Sequence, residues 1–170
     1  VDDDSRKVRL EAIYTLGTIA RPPLAEADAA ALTKALDHFD PDVRAAAARV
    51  IGRLGVASAG DALVTAVNDS EPAVRYAAMR ALGEIRMERA VEALTGQFTF
   101  YGRGEGAASA LDALARIASP ASVPLFRERL ADRDPRLRQA AAEGLGRAGD
   151  TSEIPALQIG AGNDGSPAVR

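Results

Sequence analysis

Apolar side chains recur at helical spacing in separate blocks along this chain. In the clearest block Val74, Ala78, Ala81, Leu82 and Ile85 fall three or four residues apart or side by side, which gathers them on one helix face. Val43, Ala47, Val50, Ile51 and Leu54 repeat the arrangement, as do Leu137, Ala141, Gly144, Leu145 and Ala148. Glu71-Pro72 stands ahead of the first block, and Asp40-Pro41, Asp134-Pro135 and Ser166-Pro167 mark the same place in other copies. A capping residue followed by proline is a helix start signal, because proline lacks an N–H that the first turn could not use. Shorter apolar segments alternate with these blocks over 24–39, 60–67, 88–97, 122–130 and 152–159. Links such as Ala57-Ser58, Ser119-Pro120 and Gly149-Asp150-Thr151 join the two kinds. No stretch shows the period-two alternation of a strand, so the pattern predicts helical hairpins throughout.

The blocks are copies of one another. Aligned on an apolar residue followed by Arg, they begin at Val8-Arg9, Val43-Arg44, Val74-Arg75, Leu137-Arg138 and a truncated Val169-Arg170, with a degenerate copy at Gly106-Ala107. The period is about 31 residues, the sequence mark of a solenoid whose units bury their apolar faces against one another. Four residues after the anchor stands Ala12, Ala47, Ala78, Ala110 or Ala141; a single methyl there predicts close helix approach. Nine after it stands Gly17, Gly52, Gly83 or Gly146, with Ala115 in the degenerate copy. Glycine inside a helix costs about 1 kcal/mol against alanine, so its recurrence predicts either a crowded backbone contact or a C-terminal cap.

The motif Asp69…Val74-Arg75…Ala78…Ala81-Leu82-Gly83 resembles HEAT repeats, and among them the phycobilisome-lyase-type HEAT-like subclass. Asp40-Pro41-Asp42-Val43-Arg44…Ala47 and Asp132…Leu137-Arg138…Ala141…Leu145-Gly146 echo it, and the resemblance covers essentially the whole chain. It implies an all-α fold, a right-handed α-solenoid of about five hairpins in a single domain over 1–170. It also implies a ladder in which an Asp of each hairpin turn pairs with the Arg six residues on. The matching pairs are Asp3/Arg9, Asp69/Arg75, Asp132/Arg138 and Asp164/Arg170; His38 replaces the Asp before Arg44, and both members are missing around Tyr101/Ala107. Because the pair recurs in four of the copies, it reads as structure rather than as a catalytic row. By the same resemblance the second helix of each hairpin lines the concave face.

Composition narrows function. Aromatics make up only 4% of the 170 residues, and tryptophan and cysteine are absent, which removes disulfides, thiolate metal sites and cysteine nucleophiles. A net charge of −3 and a pI near 5.3 argue against nucleic acid as the main partner, since phosphate affinity needs clustered Lys and Arg. No apolar run reaches the length of a membrane span. The chain starts at Val1 in mid-motif and stops in nearly the same phase, which reads as a segment of a longer protein; a cytoplasmic monomer is the expectation.

Residues that vary between copies are free for recognition. Six positions after each anchor lie Tyr14, Arg49, Arg80, Asp112 and Glu143, and two after it Leu10, Ala45, Tyr76, Ala108 and Gln139. On helices packed about 8–10 Å apart this row would extend on the order of 40 Å, running from aromatic and basic to acidic. Tyr and Arg are the residues enriched at binding hot spots, so Tyr14, Arg49, Tyr76, Arg80, Asp112 and Glu143 form the expected partner-binding row. The segment 97–106 interrupts the rhythm, with three of the seven aromatics beside three glycines at alternate positions. It predicts a mobile hinge, with Phe98 and Phe100 filling the gap left by the missing anchor and Tyr101 and Arg103 turned to a partner.

Little catalytic chemistry is visible. His38, beside Asp37 and Asp40, is the one histidine. It has neither a serine in an elbow-like motif nor a second ligand, and reads as a helix C-terminal cap. The expectation is therefore a non-enzymatic protein- or peptide-binding scaffold without metal or cofactor. The family resemblance implies an alternative, handling of a bilin chromophore with Arg49 and Arg80 meeting its propionates. Weak nucleic-acid binding ranks below both.

Overall fold

The computed structural model describes residues 3–167 and 169. Among them the fold is all-helical, built from hairpins of the α-solenoid class as the sequence predicts. Contacts divide the chain into two compact units, Val1–Met87 and Glu88–Arg170. The first holds α1 (Asp3–Ile19), α2 (Glu26–Ala35), α3 (Pro41–Leu54), α4 (Gly60–Ala66) and α5 (Pro72–Glu84). The second holds α6 (Val91–Tyr101), α7 (Gly104–Ile117), α8 (Val123–Arg129), α9 (Pro135–Ala148) and α10 (Ile154–Asn163).

In the first unit α2 packs on α3 and α4 on α5, while α1, α3 and α5 stack side by side. In the second, α6 packs on α7 and α8 on α9, with α7 beside α9. The anchor-bearing helices carry the core: Ala46, Ala47, Ala48, Val50 and Ile51 of α3 are fully enclosed, as are Ala78, Ala110 and Ala141 at the equivalent alanine positions. Small side chains let these helices close on one another. A Cβ placed on Gly52 would lie 2.8 Å from the Ala81 Cα, and one on Gly17 2.9 Å from Val50. At these two positions the recurring glycine is a close-approach residue. Gly146 has no neighbour within 4 Å, so crowding does not explain the glycine there.

Helix ends follow the repeat as well. The Asp40 and Asp134 side chains accept from the Asp42 and Arg136 N–H groups, capping α3 and α9 ahead of their prolines. Glu71 occupies the same place before α5 without a side-chain cap; its own N–H donates to Asp69 at 2.9 Å. Gly55 closes α3 at φ 69°, a conformation that costs glycine nothing. Twelve residues after their own anchors, Arg86 and Ala118 adopt the same left-handed region at φ 52° and 60°. A one-turn 3-10 segment precedes α4, α6, α8 and α10, and its last residue, Ala59, Ala90, Ser122 or Glu153, is always buried.

α1 differs from its counterparts. Val8 and Ile19 are 67% and 68% exposed, and with Lys7, Glu11, Ala12, Thr15 and Leu16 they border an open groove of ≈ 630 Å³. No helix among the described residues is long and apolar enough to cross a membrane.

Candidate functional site

After two of the anchors, Arg44 and Arg138 are held at both ends of the guanidinium. Arg44 Nη1 donates to the His38 and Phe39 carbonyls at 2.8 and 3.0 Å, while Nε and Nη2 donate to Asp69 Oδ2 and Oδ1 at 2.7 and 2.8 Å. Arg138 repeats this, with the Asp132 and Arg133 carbonyls at 2.9 and 3.1 Å and the Asp164 carboxylate at 2.7 and 2.8 Å. Arg75 likewise donates to the Asp69 and Ser70 carbonyls at 2.7 and 2.9 Å. The expected pairs Asp69/Arg75 and Asp132/Arg138 are thus corrected: each Arg binds the backbone of its own turn, and Arg44 and Arg138 reach the carboxylate of the next. The reason is local. Each ladder Asp turns one oxygen inward to the N–H two residues on, at Glu71, Asp134 and Ser166. The carboxylates of Asp69 and Asp164 then face the preceding repeat. The hydrogen bonds from Arg44 hold the Asp69 carboxyl below the ordinary carboxylate range, against a smaller opposing effect of burial. The side chain of Asp3 and the whole of Arg170 lie outside the described residues.

His38 stands in for the missing aspartate. Its Nδ1 accepts from the Asp40 N–H at 3.0 Å, and Arg9 Nη1 lies 3.2 Å from Nε2. The ring caps the turn and lies against the preceding arginine; it is not the cap of a helix C-terminus. Arg6 adds ion pairs to Asp40, at 2.7 Å, and to Asp42. Among the described residues no group of three or more His, Cys, Asp or Glu side chains could hold a metal ion.

On the varying face the two units differ. In the first, Tyr14 is 41% exposed on α1 and Arg49 is exposed on α3. One turn on, Arg53 is exposed as well and lies over Gly17. Neither Arg49 nor Arg53 has an acidic partner among the described residues. Tyr76 is half-buried on α5, and Arg80 pairs with Glu84 at 2.8 Å. In the second unit Asp112 pairs with Arg116 at 2.9 Å and Glu143 with Arg147 at 3.3 Å, so the expected acidic stretch is neutralised one helical turn along. The position two after the anchor is no solvent row: Ala45 is 1% exposed.

The irregular segment 97–106 is also corrected. α6 runs through Tyr101, and Gly102 and Arg103 alone separate it from α7. Phe98 is buried and Phe100 is 78% exposed, so one phenylalanine fills the core and the other does not. Tyr101 covers the vacant anchor: a Cβ on Gly106 would lie 2.4 Å from its ring. Arg103 is exposed at the start of α7.

This helix pattern matches a sequence model of HEAT repeats over residues 29–99 and 103–170. The chain belongs to the HEAT repeat family. Among solved structures, the complex of CpcE and CpcF of phycocyanin lyase from Nostoc sp. PCC7120 is similar, with a TM-score of 0.72 and 26% identity over 93% of this chain. This chain spans 66% of that neighbour, just under two thirds of it. A designed armadillo repeat protein shares the fold, with a TM-score of 0.68 and 16% identity over 99% of this chain and 90% of its own. No curated protein matches the sequence.

A second set of links between HEAT repeats escaped the sequence reading. Glu153, 3% exposed, receives Arg127 Nε on both carboxylate oxygens at 2.9 Å, with a further contact from Nη2. Arg127 holds the Glu153 carboxyl below the ordinary range, against burial. Ser119 Oγ donates to Glu88 at 2.6 Å across 31 residues, one repeat length. A charged residue where other HEAT units carry buried Ala or Ser was the available signal.

Proposed function

We propose that this chain is a non-enzymatic scaffold that binds an acidic segment of a protein partner on the α1–α3–α5 face of its first unit. The observation that carries this reading is the pair Arg49 and Arg53. Like charges one helical turn apart disfavour each other by a few tenths of a kcal/mol, and neither has an acid beside it. Arg80, Asp112 and Glu143 are all matched internally. Unmatched guanidiniums beside an exposed tyrosine supply steering charge, bidentate donors and an aromatic contact, the combination that favours recognition of carboxylates. The mechanism is geometric: packed helices fix the spacing of the side chains, so little ordering cost is left for binding.

The test is Arg49→Glu with Arg53→Glu, both exposed. Circular dichroism is expected to be unchanged while retention of an Asp/Glu-rich peptide, and its salt dependence, is lost. Equal binding by the folded variant would discard this face as the site.

The likeness to the CpcE–CpcF complex favours a second reading, in which the same arginines meet the propionates of a bilin. A shift in the absorption of free bilin on mixing, abolished by the same variant, supports that reading; an unchanged spectrum removes it.

A further inference from the structure

The degenerate repeat leaves a gap in the ladder, and the gap is a cleft. At the intact steps a guanidinium fills the space between one turn and the next, as Arg44 does before Asp69 and Arg138 before Asp164. In α7 the equivalent residue is Ala107, which is fully buried and reaches nothing beyond its own core. Where the missing side chain would have passed lies an opening of ≈ 570 Å³, bordered by Arg103 and Gly104 on one side and by 128–129 and 131–134 on the other.

The chemistry of the cleft follows from which polar groups are already engaged. Its three carboxylates are satisfied. Asp132 accepts from the Asp134 N–H at 2.9 Å and from Arg129 Nη1 at 3.3 Å. Asp134 accepts from the Arg136 N–H at 2.9 Å and Nη2 at 3.0 Å, and Glu128 accepts from Arg129 Nη2. Arg136 is also drawn to Glu105. The groups left over are donors. Arg129 Nε is buried with no hydrogen-bond partner, and the Arg129 guanidinium is fixed over the Phe98 ring, 5.3 Å from its centroid. Arg103 and Arg133 are exposed, border the cleft and have no acidic partner among the described residues. A cation would have to displace Arg129 from two carboxylates to enter. An anion finds three guanidiniums, one of them prepositioned.

We infer that this cleft is a binding site for an oxyanion, a phosphate or a carboxylate group held between Arg103 and Arg133 above Arg129. Where other repeats carry a ladder arginine, this one has Ala107, and the space is left open to the charge of a ligand. Arg103 and Arg133 supply the long-range attraction and the hydrogen bonds, and Arg129, braced by Phe98, Glu128 and Asp132, adds a fixed positive charge beneath them.

The site belongs to the second unit and is independent of Arg49 and Arg53, so either proposal stands if the other fails. The experiment is a titration of the whole chain with inorganic phosphate and, separately, with succinate, followed by amide and arginine Nε resonances in two-dimensional NMR. Saturable shifts centred on Gly104, Arg129 and Arg133 are expected, with phosphate or succinate the tighter according to which group the cleft prefers. Arg103→Ser with Arg133→Ser should weaken binding by about tenfold or more, since both charge-assisted contacts are lost. Arg21→Ser, at an exposed arginine outside both sites, should leave it unchanged. The absence of saturable shifts with both anions, or shifts that persist equally in the double variant, overturns the assignment.

Discussion

Arg44 binds the carboxylate of Asp69 through two nitrogens, at 2.7 and 2.8 Å, across 25 residues of sequence. Both side chains are largely enclosed, 13% and 12% exposed. The pair ties α3 to the turn before α5 by a bond that neither hairpin makes alone. Asp69→Asn keeps the shape and removes the charge, and it is expected to cost about 1.5–3 kcal/mol, the range for hydrogen bonds to charged groups. A double-mutant cycle in urea denaturation, read by circular dichroism, should give Arg44 and Asp69 a coupling of about 1 kcal/mol or more. The same cycle for Asp69 and Arg75 should fall below about 0.5 kcal/mol. The reverse order would restore the pairing within a single turn.

That contrast shows what repetition in a sequence carries and what it does not. Spacing identified Arg44, Asp69, Arg75 and Arg138 as structural because they recur, and the helices, caps and buried alanines followed from the same rhythm. It could not say which turn an arginine reaches, because a six-residue separation and a one-repeat separation are both within the length of the side chain. Composition misled at 97–106 for a related reason. Three glycines and three aromatics look like a loop, yet Phe98 buried against the core extends α6, and Tyr101 takes the volume of the absent anchor above Gly106. The exposure of Arg49 and Arg80 was legible from their place opposite the apolar stripe. The neutralisation of Asp112 and Glu143 by arginines four residues on was in the sequence too, and needed the i, i+4 rule to be applied to the row itself.

Acid should weaken the fold through these same links. Asp69, Asp134 and Glu153 all have carboxyl groups held below their ordinary values of 3.8 for Asp and 4.5 for Glu, each chiefly by hydrogen bonds from an arginine. A depressed folded value means the unfolded chain takes up protons first as the pH falls. Their contribution is therefore complete above the ordinary carboxylate range and is lost progressively below it, towards the folded values. Melting temperature is expected to be level above about pH 5 and to fall below it. Asp69→Asn should flatten the descent. A melting temperature that stays level down to pH 2 would contradict the role given to these pairs.

His38 occupies a ladder position with half the acceptor capacity of a carboxylate. A neutral imidazole has one acceptor nitrogen, yet both the Asp40 N–H and Arg9 point at the ring. His38→Asp supplies oxygens for both, and is expected to stabilise the docking of α1 by about 0.5–1 kcal/mol, the scale of an exposed ion pair. Hydrogen exchange of the α1 amides reads this directly, because they should slow while those of α9 stay the same. Slower exchange across both units would point to a global effect and discard the local one.

Gly52 and Gly146 hold the same place in their repeats and should respond to alanine with opposite signs. In a helix interior the substitution itself is worth about 1 kcal/mol in favour of alanine. At Gly146 nothing lies within 4 Å of the added methyl, so most of that gain should appear, raising stability by about 0.5–1 kcal/mol. At Gly52 the methyl would meet the Ala81 Cα at 2.8 Å and its Cβ at 3.0 Å. Backbone cannot turn aside as a side chain can, so α3 and α5 must separate. Overpacking of this kind costs about 1–3 kcal/mol, which outweighs the helical gain. Gly17→Ala should fall between them, because the Val50 methyls it meets at 2.9 and 3.2 Å belong to a side chain held by one rotatable bond. Paired urea melts of the three variants give the order directly. If Gly52→Ala proved as stabilising as Gly146→Ala, close approach of α3 and α5 would not be what keeps glycine at that position.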